Sequence, residues 1–227
     1  MMSFTKLPVY TAIFSLVTFG WQVAADEIPS DAPRDDLDHS FVVGDLGPGM
    51  PQHHFQIACL NCRNGDRGVA AREIRKGAQL LREQAKRATA KGKAVLDRSS
   101  RELENLAGAV QKGAAVSIEK IKATFARAQH ALAYHHHTQA SDSWARRKFK
   151  QAGKQFKAAA YNIEYGLSWI GEGVETKGRD VIIGTRDLGS ALIDGTKIGA
   201  GRVKTQTKAL GQEIERFGRR IVKPVRR

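Results

Sequence analysis

Proline is almost missing from this sequence. Six of the 227 residues are proline, and none lies between Gln52 and Lys223. Proline in a helix interior removes a hydrogen bond and clashes with the preceding turn, so its absence leaves most of the chain open to long helices. Aromatic residues are sparse, at 7%. Cysteine is limited to Cys59 and Cys62. Beyond residue 25 no segment is apolar enough to span a membrane. No Ser-His-Asp arrangement, paired catalytic carboxylates or phosphate-cradling glycine loop can be assembled. "GDRG" and "GPG" read only as turns. Catalysis thus has no sequence support, and the chain reads as a non-enzyme.

The first residues have the form of a secretory signal. Lys6 supplies the positive start, "LPVYTAIFSLVTFGW" the apolar run, and Val23, Ala24 and Ala25 the small residues before a cleavage point at Asp26. The expectation is a secreted or periplasmic protein with a signal peptide over 1–25.

Charge is unevenly distributed. Residues 26–45 hold seven acids (Asp26, Glu27, Asp31, Asp35, Asp36, Asp38 and Asp45) and one base, Arg34. Setting these and Lys6 aside leaves 35 bases and 16 acids over 63–227, a net of +19. An acidic leader precedes a basic body, which favours an anionic partner.

The body is periodic. In "GTRDLGSALIDGTKIGAG", Gly184 and Gly195 are eleven apart, as are Thr185 and Thr196. Extending the period gives an apolar row Ile170, Val181, Leu192, Val203, Ile214 and a neighbouring row Lys177, Leu188, Gly199, Leu210, Ile221. Small residues flank them: Gly178, Gly189, Ala200 and Gly211 on one side, Gly173, Gly184 and Gly195 on the other. A more distant face carries a basic row, Arg186, Lys197, Lys208 and Arg219. Eleven residues over three turns is close to a straight helix. Each interior glycine costs about 0.8–1 kcal/mol against alanine. Two readings explain them. Gly184, Gly189, Gly195 and Gly199 let another backbone approach closely, or the glycines keep an isolated helix marginal until a surface stabilises it.

In period and composition, roughly residues 67–221 resemble the eleven-residue-repeat amphipathic helix proteins: late-embryogenesis-abundant proteins, exchangeable apolipoproteins and synucleins. That resemblance implies lipid-surface binding or chaperone-like shielding, without catalysis.

The fold expected is mostly α: long amphipathic helices forming a hairpin or elongated bundle behind an irregular N-terminal segment. Residues 26–66 are taken as that irregular segment, 67–140 as a first helical region, 141–222 as a second and 223–227 as a basic tail. Ser99 with Glu102 fits a capping box near 97–100. "HHHTQASDS", 135–143, reads as the turn between the regions, with Ser141, Asp142 or Ser143 capping the next helix. "WIGEGVETKG", 169–178, reads as an interruption.

Three constellations are candidates for chemistry. "CLNC" at Cys59–Cys62 allows a disulfide or thiol exchange. With His53 and His54 it also offers two nitrogens and two sulfurs, a donor set zinc accepts. Otherwise no cofactor is expected. His135–His137 could titrate near neutrality. Residues 144–169 interleave bases with aromatics. Trp144, Phe149, Phe156, Tyr161, Tyr165 and Trp169 stand among Arg146, Arg147, Lys148, Lys150, Lys154 and Lys157. That mixture suits anionic lipid or another polyanion; it also suits helix packing with snorkelling lysines. Export argues against nucleic acid as the partner.

The leading expectation is binding of an anionic surface. The alternatives are a structural assembly or homo-oligomer packing through Gly/Ala faces, and a redox or metal module at the cysteines.

Overall fold

The computed structural model describes residues 50–222. The expected signal peptide over 1–25, the acidic stretch 26–45 and the basic tail 223–227 lie outside the described residues. The described residues form seven helices and no strand: α1 (Pro51–Arg63), α2 (Arg67–Ala85), α3 (Ala90–Gln111), α4 (Ile118–Ala145), α5 (Phe149–Trp169), α6 (Thr176–Ile193) and α7 (Ala200–Val222). None of them is long and apolar enough to cross a membrane. The fold is therefore mostly α, as the missing prolines and the periodic rows imply, with shorter helices than a two-helix hairpin needs.

Consecutive helices pack against one another, and α4 also contacts α1 and α7. Two apolar cores result. The first joins α1, α2, α3 and one side of α4 through Phe55, Ile74, Leu81, Leu96, Leu103 and Phe125. The second joins the other side of α4 to α5, α6 and α7 through Ala133, Ala140, Phe156, Ile163, Leu188 and Phe217. A helix serving two cores cannot keep a polar face. The alanines, histidines and Gln129 that encircle α4 follow from that position.

The turns explain part of the glycine pattern. Gly65, Gly113, Gly171 and Gly195 follow α1, α3, α5 and α6, each with φ between 70° and 81°. At Gly195 the Thr196 N–H donates to the Ala191 carbonyl (2.9 Å), closing the end of α6. The stretch 194–199 is thus a turn, and the eleven-residue rows do not continue along a single helix. Ser117 and Thr89 cap α4 and α3, accepting from Lys120 N (3.2 Å) and Gly92 N (3.3 Å).

Four boundaries differ from the sequence reading. Residues 51–63 are helical, begun by Pro51 in the first turn and held by buried Phe55 and Ala58. No break occurs at 97–100; Ser99 and Ser100 are buried within α3, and the Ser100 hydroxyl donates to the Ala78 carbonyl. Residues 135–143 lie inside α4. Two of their hydroxyls are satisfied within the helix: Thr138 donates to the His135 carbonyl and Ser141 to the His137 carbonyl. The next helix starts at Phe149, without a cap from Ser141, Asp142 or Ser143. The interruption expected at 169–178 is the α5–α6 turn.

Candidate functional site

Three turns lie at one end of the helices. The Gln139 amide of α4 donates to the Arg87 carbonyl (2.6 Å), which ties the α2–α3 turn to α4. Arg87, Arg146 and Lys148 then line one cavity together. Trp144 and Phe149 share a second cavity, of about 320 Å³, with Gly195, Thr196, Lys197 and Ile198 of the α6–α7 turn.

This end is rich in positive charge. Arg146, Arg147, Lys148, Lys150 and Lys197 are exposed, and none forms an ion pair with a described residue. Elsewhere many cations are paired, such as Arg82 with Glu104 (2.8 Å) and Arg127 with Glu102 (2.7 Å). Helix dipoles explain only part of the placement. Arg146 and Arg147 follow the C-terminus of α4, where cations are favoured. Lys150 sits in the first turn of α5, which has no acid and where cations are disfavoured.

Phe149 stands among these cations with 43% of its surface exposed. Its ring lies 4.9 Å from that of half-buried Trp144. From Trp144 an open groove of about 730 Å³ runs between α4 and α7, past Val203 and Gly211, with Lys204 and Lys208 on it.

Arg147 has the most informative backbone. Its φ is 58°, and it is the only non-glycine residue with positive φ among those described. The Lys148 N–H donates to the Ser143 carbonyl (2.8 Å), as Thr196 N–H does to Ala191 around Gly195. Arginine thus occupies the position that four sibling turns give to glycine. A left-handed conformation costs a residue with a Cβ roughly 1–2 kcal/mol. Such strain concentrates where a side chain is needed.

The other predicted residues are dispersed. Phe156 is fully buried in the second core, Tyr165 is buried, and neither can meet a surface in this fold. Trp169 is anchored by donating from Nε1 to Gln52 Oε1 (2.9 Å) and packs edge-on against Phe125. Tyr161 lies under the Arg186 guanidinium (4.9 Å). Lys154 is exposed, whereas the Lys157 stem packs over Gly189. The aromatic stripe of α5 is mainly core, so its period reports packing.

The basic row is also split. Arg186 belongs to α6 and reaches Glu164 (3.4 Å), Lys197 is in the turn, and Lys208 and Arg219 are on α7. Among the packing glycines, Gly189 meets Gly153: a Cβ on Gly189 would lie 2.7 Å from the Gly153 carbonyl oxygen. Gly184 faces Gln206. Gly195 and Gly199 have open space around them and do not pack in a helix crossing.

Cys59 and Cys62 are free thiols near the C-terminal end of α1. Burial, aided by Cys59, pushes the Cys62 thiol up, away from a reactive thiolate. His54 Nδ1 donates to Glu73 Oε2 (2.6 Å) rather than turning toward the cysteines. Among the described residues no group of three or more His, Cys, Asp or Glu can hold a metal ion. The four-ligand arrangement of His53, His54, Cys59 and Cys62 therefore does not assemble.

Sequence reasoning missed the histidines' real setting. His130 Nε2–H donates to the Ile214 carbonyl (3.2 Å), and His137 Nε2–H to the Thr207 carbonyl (3.0 Å). His136 Nδ1–H donates to Gln155 Oε1 (2.6 Å). His135 is buried with its Nδ1 unpartnered. Burial lowers the pKa of all four, that of His135 to about 4. They are neutral structural groups at pH 7. The shared seven-residue spacing of His130–His137 and Gly211–Gly218 was the available signal.

Comparison with known proteins finds no matching family model, no similar curated protein and no similar solved structure.

Proposed function

We propose that this protein is a non-enzymatic binder of anionic lipid surfaces and that it binds through the end built from the α2–α3, α4–α5 and α6–α7 turns. The observation that carries the reading is Arg147. Its side chain is kept at a strained backbone position beside Arg146, Lys148 and Lys150. That arrangement makes sense if the charge is used. Exposed Phe149 and the groove beside Trp144 favour lipid over a purely hydrophilic polyanion, because they offer apolar contact next to the cations. The mode differs from a helix lying flat on a membrane, since the apolar faces of α5 and α7 are already committed to the second core.

The test is vesicle co-sedimentation with the full chain. Phosphatidylcholine vesicles with and without phosphatidylglycerol are compared at low and high salt. Arg146→Glu, Lys148→Glu and Lys150→Glu together should abolish sedimentation with anionic vesicles. A matched triple reversal elsewhere, Lys112→Glu, Lys120→Glu and Lys177→Glu, should weaken it far less. Equal losses in the two triples would mean that net charge alone governs binding and would overturn the assignment to this end.

A further inference from the structure

We infer that the cavity between the α2–α3 and α4–α5 turns is a binding site for a single phosphate group of the phosphomonoester type. The inference rests on the surface-binding reading for a lipid source of that phosphate, but not for phosphate itself.

The cavity has a volume of about 300 Å³ and is lined by Arg87, Thr89, Asp142, Ser143, Arg146 and Lys148, among others. Three cations and one acid leave two net positive charges. A phosphomonoester carries about −1.5 to −2 near pH 7, and its three free oxygens match three cationic donors. A diester leaves two. Guanidinium forks add paired, directional hydrogen bonds to such oxygens.

The second observation is Ser143. It is only 4% exposed and lines the cavity, yet its hydroxyl has no hydrogen-bond partner among the described residues. The hydroxyl oxygen is not among the fully buried unpartnered atoms, so what little of Ser143 is accessible includes it. Ser143 lines a cavity ringed by cations, where an anion's oxygen would accept from its hydroxyl.

The walls are held in place before any ligand arrives. Gln139 fixes the Arg87 backbone, and the Lys148 N–H is tied to the Ser143 carbonyl. Thr89 caps α3, so the positive end of a 22-residue helix opens next to the cavity, where anions are favoured. Binding therefore has to order the exposed side chains of Arg87, Arg146 and Lys148 but not the backbone that carries them.

The experiment titrates the full chain with inorganic phosphate by calorimetry. It then measures sedimentation with vesicles containing phosphatidic acid (a monoester) or phosphatidylglycerol (a diester) at equal surface charge. Arg87→Gln and Ser143→Ala are the test variants. Phosphate should bind saturably, and Arg87→Gln should weaken it roughly tenfold and Ser143→Ala roughly threefold, in line with lost hydrogen bonds to an anion. The wild type should prefer phosphatidic acid, and both variants should lose that preference while still binding phosphatidylglycerol. Ser143→Ala removes one oxygen, so it keeps the test valid if Arg87→Gln disturbs the turn. Absence of phosphate saturation, with equal binding of both vesicle types, would overturn the subsite and leave the surface reading standing. Saturable phosphate binding that is sensitive to both variants, without vesicle binding, would sustain the site for a soluble phosphomonoester and overturn the surface reading. Phosphate binding unchanged in both variants would overturn the site.

Discussion

The imidazole of His130 fills the space that a side chain at residue 218 would need. A Cβ built on Gly218 would lie 2.7 Å from His130 Nε2, the atom that donates to the Ile214 carbonyl. One heptad away, His137 faces Gly211 at 3.4 Å and donates to the Thr207 carbonyl. Two rings on α4 thus bridge to α7 backbone carbonyls over two glycines.

The two glycines should respond differently to alanine. Gly218→Ala forces the His130 ring away and breaks its hydrogen bond, which overpacking and a lost buried partner put at about 1–3 kcal/mol of destabilisation. Gly211→Ala meets only a tight contact, while alanine gains about 1 kcal/mol of helix propensity, so it should be close to neutral. Urea midpoints of the two variants test this. Equal losses would contradict the geometry.

Acid should destabilise the protein well before its carboxylates are protonated. A histidine with a depressed folded pKa contributes in full above the unfolded value near 6.5, and that contribution is lost as pH falls toward the folded pKa. For His135, with a folded value of about 4, the loss between pH 7 and 4 is about 3 kcal/mol. His130, His136 and His137 shift in the same direction. Glu164, pushed up by burial against the pull of Arg186, offsets part of this at the acidic end. Denaturation midpoints from pH 7.5 to 4 should fall steeply, and less steeply in His135→Gln. A flat profile would show that these rings are not buried in solution.

Arg147→Gly should separate stability from binding. Glycine removes the strain at φ 58°, raising stability by about 1 kcal/mol and the melting temperature by roughly 2–4 °C. Binding of anionic vesicles should fall at the same time. A variant that is stabilised but binds as before would remove the reason offered for the arginine.

Gln52 is the polar joint between the cores. Its Oε1 accepts from Gln129 Nε2 (2.8 Å) and from Trp169 Nε1 (2.9 Å). Gln52→Ala leaves two donors without an acceptor in a largely buried setting, at a cost of about 2–4 kcal/mol. Trp169 emission should change with it. Unaltered emission and stability would place Trp169 elsewhere.

Much of the architecture was legible because it depends on what repeats along the chain. Missing prolines, the apolar rows and the cluster "WIGEGVETKG" were enough for helices and for one turn. The turn at 194–199 was hidden because "GTKIG" fits the helical repeat residue for residue. Which glycines sit at helix ends is decided by the layout of neighbouring helices. "HHH" resembled a solvated loop because a histidine's polarity says nothing about carbonyls on a helix 70 residues away. At the candidate site, Arg146, Lys148 and Lys150 were legible from composition. Arg87 and Ser143 were not, since only the pairing of turns brings them together. Phe156 shared the surface stripe by spacing, but the face of a helix that turns inward depends on what lies beside it.

The position of α4 between two cores bears on how this chain can be inherited. A cut in either flanking turn, 112–117 or 146–148, hands α4 to one fragment and strips a wall from the other. The fragment ending at Ala145 would bare Ala126, Ala133 and Ala140, a seam of small side chains suited to pairing with another helix. The helices on the two sides of α4 are therefore not interchangeable modules. Recombination that swaps one side must preserve both faces of the same 28 residues.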